Sequence, residues 1–179
     1  MRIFIGIPLP ESLKAFVNEK QNNLQPFTQK GRWTDPNNLH LTLLFIGEMD
    51  HDHIEHLNRH LFHDLSKEKA FLITTSELGT FKKRDESILW IGIKDGLKEL
   101  NELAQKVIKS TKRADIMFKP SPFKPHITIA RQIIWNQVIE LNEQEIPSFT
   151  IPVDQVHLYL SHQINGKLTY TPLYTYCLQ

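Results

Sequence analysis

The stretch Asn38-Leu39-His40-Leu41-Thr42-Leu43-Leu44-Phe45-Ile46 decides how this chain is read. It is an apolar, β-prone run with a small polar pair set into it. Side chains two apart on a strand share a face. His40 and Thr42 therefore point one way, and Leu41, Leu43 and Phe45 point the other way, toward a core. An imidazole beside a hydroxyl on a rigid strand can hold one phosphate and move one proton. The pattern returns at His126-Ile127-Thr128-Ile129, 86 residues further on for the histidine and the threonine alike. One strand histidine is usually structural, and threonine is a good β-former. Propensity does not place the same pair twice in matching surroundings.

Working outward, each pair has its own scaffold. Residues 2–8 alternate, with Ile3, Ile5 and Ile7 on one face and Arg2, Phe4 and Gly6 on the other. Pro8 and Pro10 end that strand, and helical spacing follows through about residue 24. Gly31, Pro36 and Asn37-Asn38 read as a loop that contains Trp33. The motif strand stops at Gly47. A helix over His51–Leu65 then buries Ile54, Leu57, Leu61 and Leu65, and His53, His56, His60 and His63 form a second stripe. Histidines at helical spacing can bind metal. No acidic or cysteine partner completes a site here, so the stripe reads as a solvated polar face.

Residues 70–78 and 87–93 read as strands joined by a hairpin-like turn. A helix from Asp95-Gly96 to about residue 110 has the stripe Leu97, Leu100, Ala104, Val107 and Ile108, with Lys98, Lys106 and Lys109 outside. Pro120, Pro122 and Pro125 make the approach to His126 stiff and extended. After Arg131 the chain is irregular to Pro147. Residues 153–161 and 168–178 then pair as strands around the Asn165-Gly166 turn. The pattern is α+β, with largely antiparallel sheets in two sheet-and-helix lobes facing across a cleft.

Composition bounds the rest. The 179 residues, 40% hydrophobic and 23% charged, suit a globular chain with a sizeable core. No apolar run approaches the ~20 residues of a membrane helix. The N-terminus lacks the features of a signal peptide, and Cys177 is the one cysteine. The expectation is a reducing, cytoplasmic setting. Net charge is +1, but residues 80–131 hold 12 Lys and Arg against 6 Asp and Glu. That excess suits either a phosphate-bearing ligand or a solvated lysine-rich helix.

The two motifs, with Arg2-Ile3-Phe4-Ile5-Gly6-Ile7, Phe45-Ile46-Gly47-Glu48, Leu158-Tyr159 and Tyr170-Thr171-Pro172-Leu173, make the chain resemble the RNA 2′,3′-cyclic phosphodiesterases, or 2′-5′ RNA ligases, of the two-histidine (2H) phosphoesterase superfamily. The resemblance implies one bilobal domain over residues 1–179, with pseudo-twofold symmetry and both motifs lining the cleft. It implies metal-independent hydrolysis of RNA ends bearing a 2′,3′-cyclic phosphate to 2′-phosphomonoesters, without a cofactor. His40 is then the proton donor and His126 the acceptor. RNA or nucleotide ends are the expected partners, with no membrane, and a monomer is expected. Pro8 departs from the family, where Asp is common.

The chemistry suits these residues. Free imidazole titrates near ~6.5, so one ring can be neutral and the other protonated. Thr42 and Thr128 can donate to the non-bridging oxygens, and Arg131 would be the natural permanent charge. Strict alternation, however, puts Arg131 on the face of Ile127 and Ile129. It reaches a phosphate only if the strand bulges, twists or ends near Ala130. Phe4 reads as either a base-stacking ring or ordinary packing. The competing function is a non-catalytic module that grips RNA ends. Within the enzyme class, the alternative substrates are another cyclic phosphate or a 2′-5′ linkage.

Overall fold

The computed structural model describes residues 1–141 and 144–179. Its strands are β1 (Arg2–Pro8), β2 (Thr28–Trp33), β3 (His40–Glu48), β4 (Phe71–Lys83), β5 (Glu86–Asp95), β6 (His126–Trp135), β7 (Thr150–Val153), β8 (Gln155–Ile164) and β9 (Lys167–Cys177). The α-helices are α1 (Glu11–Leu24), α2 (His51–Leu65) and α3 (Leu97–Arg113). The strand order is β7-β4-β5-β6-β3-β1-β8-β9, with β2 on β6. Among the described residues every pairing is antiparallel.

The sheet is two curled halves, each with a motif strand at its inner edge. They are joined where β3 meets β6 through the single pair Leu41–Ile127. Each of these is the residue between its motif's histidine and threonine. Both are fully buried, in one core shared with Leu57 and Leu61 of α2 and Leu100 and Val107 of α3. The helices thus cover the face to which Leu41 and Ile127 point, and the histidines lie on the other.

The α2 stripe is buried as its spacing predicts. Asp50 caps this helix, its carboxylate accepting from the His53 backbone N–H at 2.9 Å. The α3 stripe shifts by part of a turn. Leu103 is buried, while Leu97 is 37% exposed because the helix starts on it, directly after the left-handed Gly96. The expected loop around Gly31 is instead β2, an edge strand with few apolar residues to reveal it. The expected hairpin is tighter than read, turning at Arg84-Asp85, with Arg84 at φ 56°.

The same irregularity occurs in both motif strands. Ile5 and Gly6, adjacent on β1, pair with Leu44 and Thr42, so β3 carries an extra residue there. Leu89 and Trp90 on β5 pair likewise with Ala130 and Thr128. These are β-bulges, which reverse the alternation beyond them. The first six residues of β3 and β6 consequently share one burial sequence. Leu43-Leu44 and Ile129-Ala130 are buried in succession, and the next residue is exposed. Phe45, expected in the core, is 45% exposed under the Arg2 guanidinium. Its counterpart 86 residues on is Arg131.

Candidate active site

His40 is held from both sides of its ring. Nδ1 lies 2.7 Å from the Asn38 carbonyl, and Nε2 lies 2.9 Å from Thr42 Oγ1. A carbonyl only accepts, so Nδ1 carries the hydrogen and Nε2 is the nitrogen available for chemistry. Asn38 is itself fixed. Its Nδ2 donates to the Leu168 carbonyl at 2.8 Å, and its Oδ1 accepts from the Tyr170 N–H at 3.0 Å. Phe4, Tyr159 and Tyr170 surround the imidazole at centroid distances of 4.7, 5.9 and 5.3 Å. Phe4 is buried and stacked on Tyr159 at 4.9 Å, so packing is its role. Gly6 leaves the remaining side open. A Cβ there would sit 2.9 Å from the Leu41 oxygen and 3.3 Å from His40 Cδ2. Pro8 pairs with His40 in the β1–β3 register, so that departure from the family lies beside the motif.

His126 repeats the arrangement. Its Nδ1 lies 2.6 Å from the Lys124 carbonyl, again two residues earlier. The proline-rich approach supplies that carbonyl. Phe81 meets the ring edge-on at 5.1 Å, and Trp90 lies at 6.4 Å. The bulge turns Arg131 onto the face of His126 and Thr128, where its Nη2 donates to Thr128 Oγ1 at 3.5 Å. The periodicity argument against Arg131 fails for that reason.

Burial pushes the His40 pKa down to about 4. The Asn38 carbonyl opposes the shift, and the charges of Arg131 and His126 add to it. His126 is lowered by burial and by Arg131. Both shifts favour the neutral ring in the unliganded protein. The charge coupling brings His126 and Arg131 into electrostatic reach of His40.

Two cavities flank the histidines. One, of about 400 Å³, is lined by Arg32, Trp33, Asp35, Asn38, Arg131 and Tyr170 among others. Lys167 and Asp35 form an ion pair at its rim. The other, also about 400 Å³, is lined by Phe81, Trp90, Phe123, Lys124 and His126 among others. Sequence reasoning missed the Asn38 brace, although Asn38 heads the motif stretch. Its partners lie 130 and 132 residues away, and no local signal announces them. Among the described residues, no three His, Cys, Asp or Glu side chains are grouped to hold a metal ion.

The sequence profile of the 2′-5′ RNA ligase superfamily matches residues 9–165. An RNA 2′,3′-cyclic phosphodiesterase of Thermotoga maritima is 28% identical, with 90% of this chain and 87% of that protein covered. One of Aquifex aeolicus is 30% identical over 73% of this chain and 70% of its own length. The crystal structure of Escherichia coli LigT complexed with 3′-AMP superposes with a TM-score of 0.81 at 26% identity, covering 99% of this chain and 97% of that one. With motif strands, bulges and profile in agreement, the chain belongs to the 2′-5′ RNA ligase superfamily.

Proposed function

We propose that this protein hydrolyses RNA ends bearing a 2′,3′-cyclic phosphate to 2′-phosphomonoesters, by general acid and base catalysis without a metal, acting as one bilobal domain over residues 1–179. The supporting observation is the pairing of Leu41 with Ile127, the residues between histidine and threonine in each His-x-Thr unit. The names of the relatives point the same way.

In this reading the nucleoside occupies the cavity of Trp33 and Tyr170, and the phosphate lies between the histidines. Neutral His126, with Nδ1–H tied to Lys124, takes a proton from water at Nε2. The water oxygen bonds to phosphorus as the bond to the ribose 3′-oxygen breaks. That oxygen receives its proton from His40 Nε2. Thr42, Thr128 and Arg131 donate to the non-bridging oxygens as charge gathers there. A ring with a pKa near 4 is mostly neutral until the phosphate arrives, and then it is a strong donor.

The cavity beside His126 favours a second use of the same chemistry. Its volume of about 400 Å³ accommodates a nucleoside, whose 5′-hydroxyl can replace the water and form a 2′-5′ linkage. The test of the main reading is incubation with RNA ending in a 2′,3′-cyclic phosphate, with the product read by ³¹P NMR. A 2′-phosphomonoester is expected. Unchanged substrate despite tight binding would identify a gripping module instead.

A further inference from the structure

Three permanent cations among the described residues border the cavity of Trp33 and Tyr170: Arg32, Arg131 and Lys167. Lys167 is paired with Asp35 at 2.5 Å. Two residues before Arg32 on β2, Lys30 is likewise paired, with Glu86 at 2.7 Å. The two arginines differ. Among the described residues, neither has a carboxylate within ion-pairing distance. Arg32 Nη1 donates to the neutral Gln132 Oε1 at 3.4 Å, and Arg131 Nη2 to Thr128 Oγ1 at 3.5 Å.

The strand register sets these two side chains against each other. Arg32 pairs with Arg131 across β2 and β6, and both line the one cavity. Residues paired on antiparallel strands share a face, with Cα atoms about 4.5–5.5 Å apart. Like charges placed opposite in this way destabilise a sheet. Two guanidinium groups so placed, without acids, call for anions from outside the chain. For Arg131 the proposed reaction supplies one, the cyclic phosphate. That phosphate has two non-bridging oxygens, and Thr42, Thr128 and Arg131 already donate to them. Arg32 is left for a second anion. A guanidinium only donates, and its planar fork matches two oxygens of a phosphate.

We propose that Arg32 binds the phosphate on the 5′ side of the nucleoside whose cyclic phosphate reacts. The position of the first phosphate rests on the phosphodiesterase reading. The nucleoside then lies between two arginine-held phosphates, its 3′ end toward Arg131 and its 5′ end toward Arg32. Side chains as long as arginine, rooted at paired positions, can spread to two phosphates separated by one ribose. Arg32 is exposed, so a strand that leaves the cavity past it enters solvent. In RNA this second phosphate is the link to the preceding nucleotide; in a free nucleotide it is a terminal monoester. A bare nucleoside cyclic phosphate lacks it, which makes Arg32 a specificity residue.

The test compares three substrates by steady-state kinetics: adenosine 2′,3′-cyclic phosphate, its 5′-phosphorylated form, and a dinucleotide ending in the same group. The wild type is expected to favour both 5′-phosphate-bearing substrates by roughly tenfold or more in kcat/KM, through KM. Arg32→Ala is expected to erase that preference, and Arg32→Lys to keep part of it. The larger of the two preferences tells whether a strand or a free nucleotide fills the site. Equal kcat/KM for all three substrates in the wild type overturns the proposal. So does a preference that survives Arg32→Ala. A loss by one common factor on all three substrates also overturns it, because Arg32 would then act on the reacting phosphate. Calorimetry with adenosine 2′-phosphate and adenosine 2′,5′-bisphosphate separates this failure from that of the reaction. If no substrate is hydrolysed, the phosphodiesterase reading falls. The Arg32 site still stands if the bisphosphate binds roughly tenfold tighter and Arg32→Ala removes the difference. It falls too if the two ligands bind alike.

Discussion

His40 owes its pose to a residue that takes no part in the proposed chemistry. The Asn38 carbonyl fixes the Nδ1 hydrogen, and the Asn38 side chain braces that carbonyl against β9. Asn38→Ala is expected to slow turnover roughly 10- to 100-fold through mispositioning. It is also expected to cost ~1–3 kcal/mol in urea unfolding, because the Leu168 oxygen and Tyr170 N–H lose their partner. The lowered histidine pKa values have a sign that can be checked. In the unfolded chain His40 titrates near its ordinary 6.5, and in the fold near 4, so the unfolded state binds more protons between these values. Its stabilising contribution is fully present above pH 6.5 and is lost as pH falls toward 4. For kcat/KM, which reports the free protein, one ring must hold a proton while the other does not. The optimum is expected below pH 6.5, with the basic limb of kcat at higher pH because bound phosphate restores the proton.

At the scale of elements, the paired bulges explain most of what the sequence did and did not disclose. The His-x-Thr alternation, the 86-residue repeat and the α2 stripe are local patterns, and they survive folding. Two-residue periodicity counts past an inserted residue without registering it, so it puts Phe45 in the core and, taken alone, puts Arg131 on the face away from His126, where only the resemblance argued for the site. Gln132, held at φ 55° just beyond the second bulge, shows no such preference in its side chain. The edge strand β2 and the Asn38 brace were invisible because their partners are distant in sequence. Gly6→Ala tests the packing of the first motif strand. The added Cβ would press on the Leu41 oxygen and the His40 ring, and a loss of ~1–3 kcal/mol is expected, together with slower turnover. Arg131→Lys is expected to retain more activity than Arg131→Ala, with each kcat/KM measured on a cyclic-phosphate substrate. Equal values would remove charge donation from the assigned role.

For the whole molecule, the two half-sheets meet through one bridging pair, and the core beneath it is continuous. Removing Ile127 bulk tests that junction, since Ile127→Val is expected to cost ~0.5–1.5 kcal/mol and Ile127→Ala ~2–5. Activity should fall further than stability predicts if the seam sets the spacing of the histidines. The same seam is why two short motifs in separate halves of the chain can address one phosphorus atom. The most direct measurement is the turnover of a 2′,3′-cyclic nucleotide by His40→Ala and by His126→Ala, in excess chelator and with folding checked by circular dichroism. Each folded variant is expected to lose on the order of 10²- to 10⁴-fold while the wild type keeps its full rate. Near-normal turnover in either variant, or a wild-type rate abolished by chelator and restored by a divalent ion, would contradict the account.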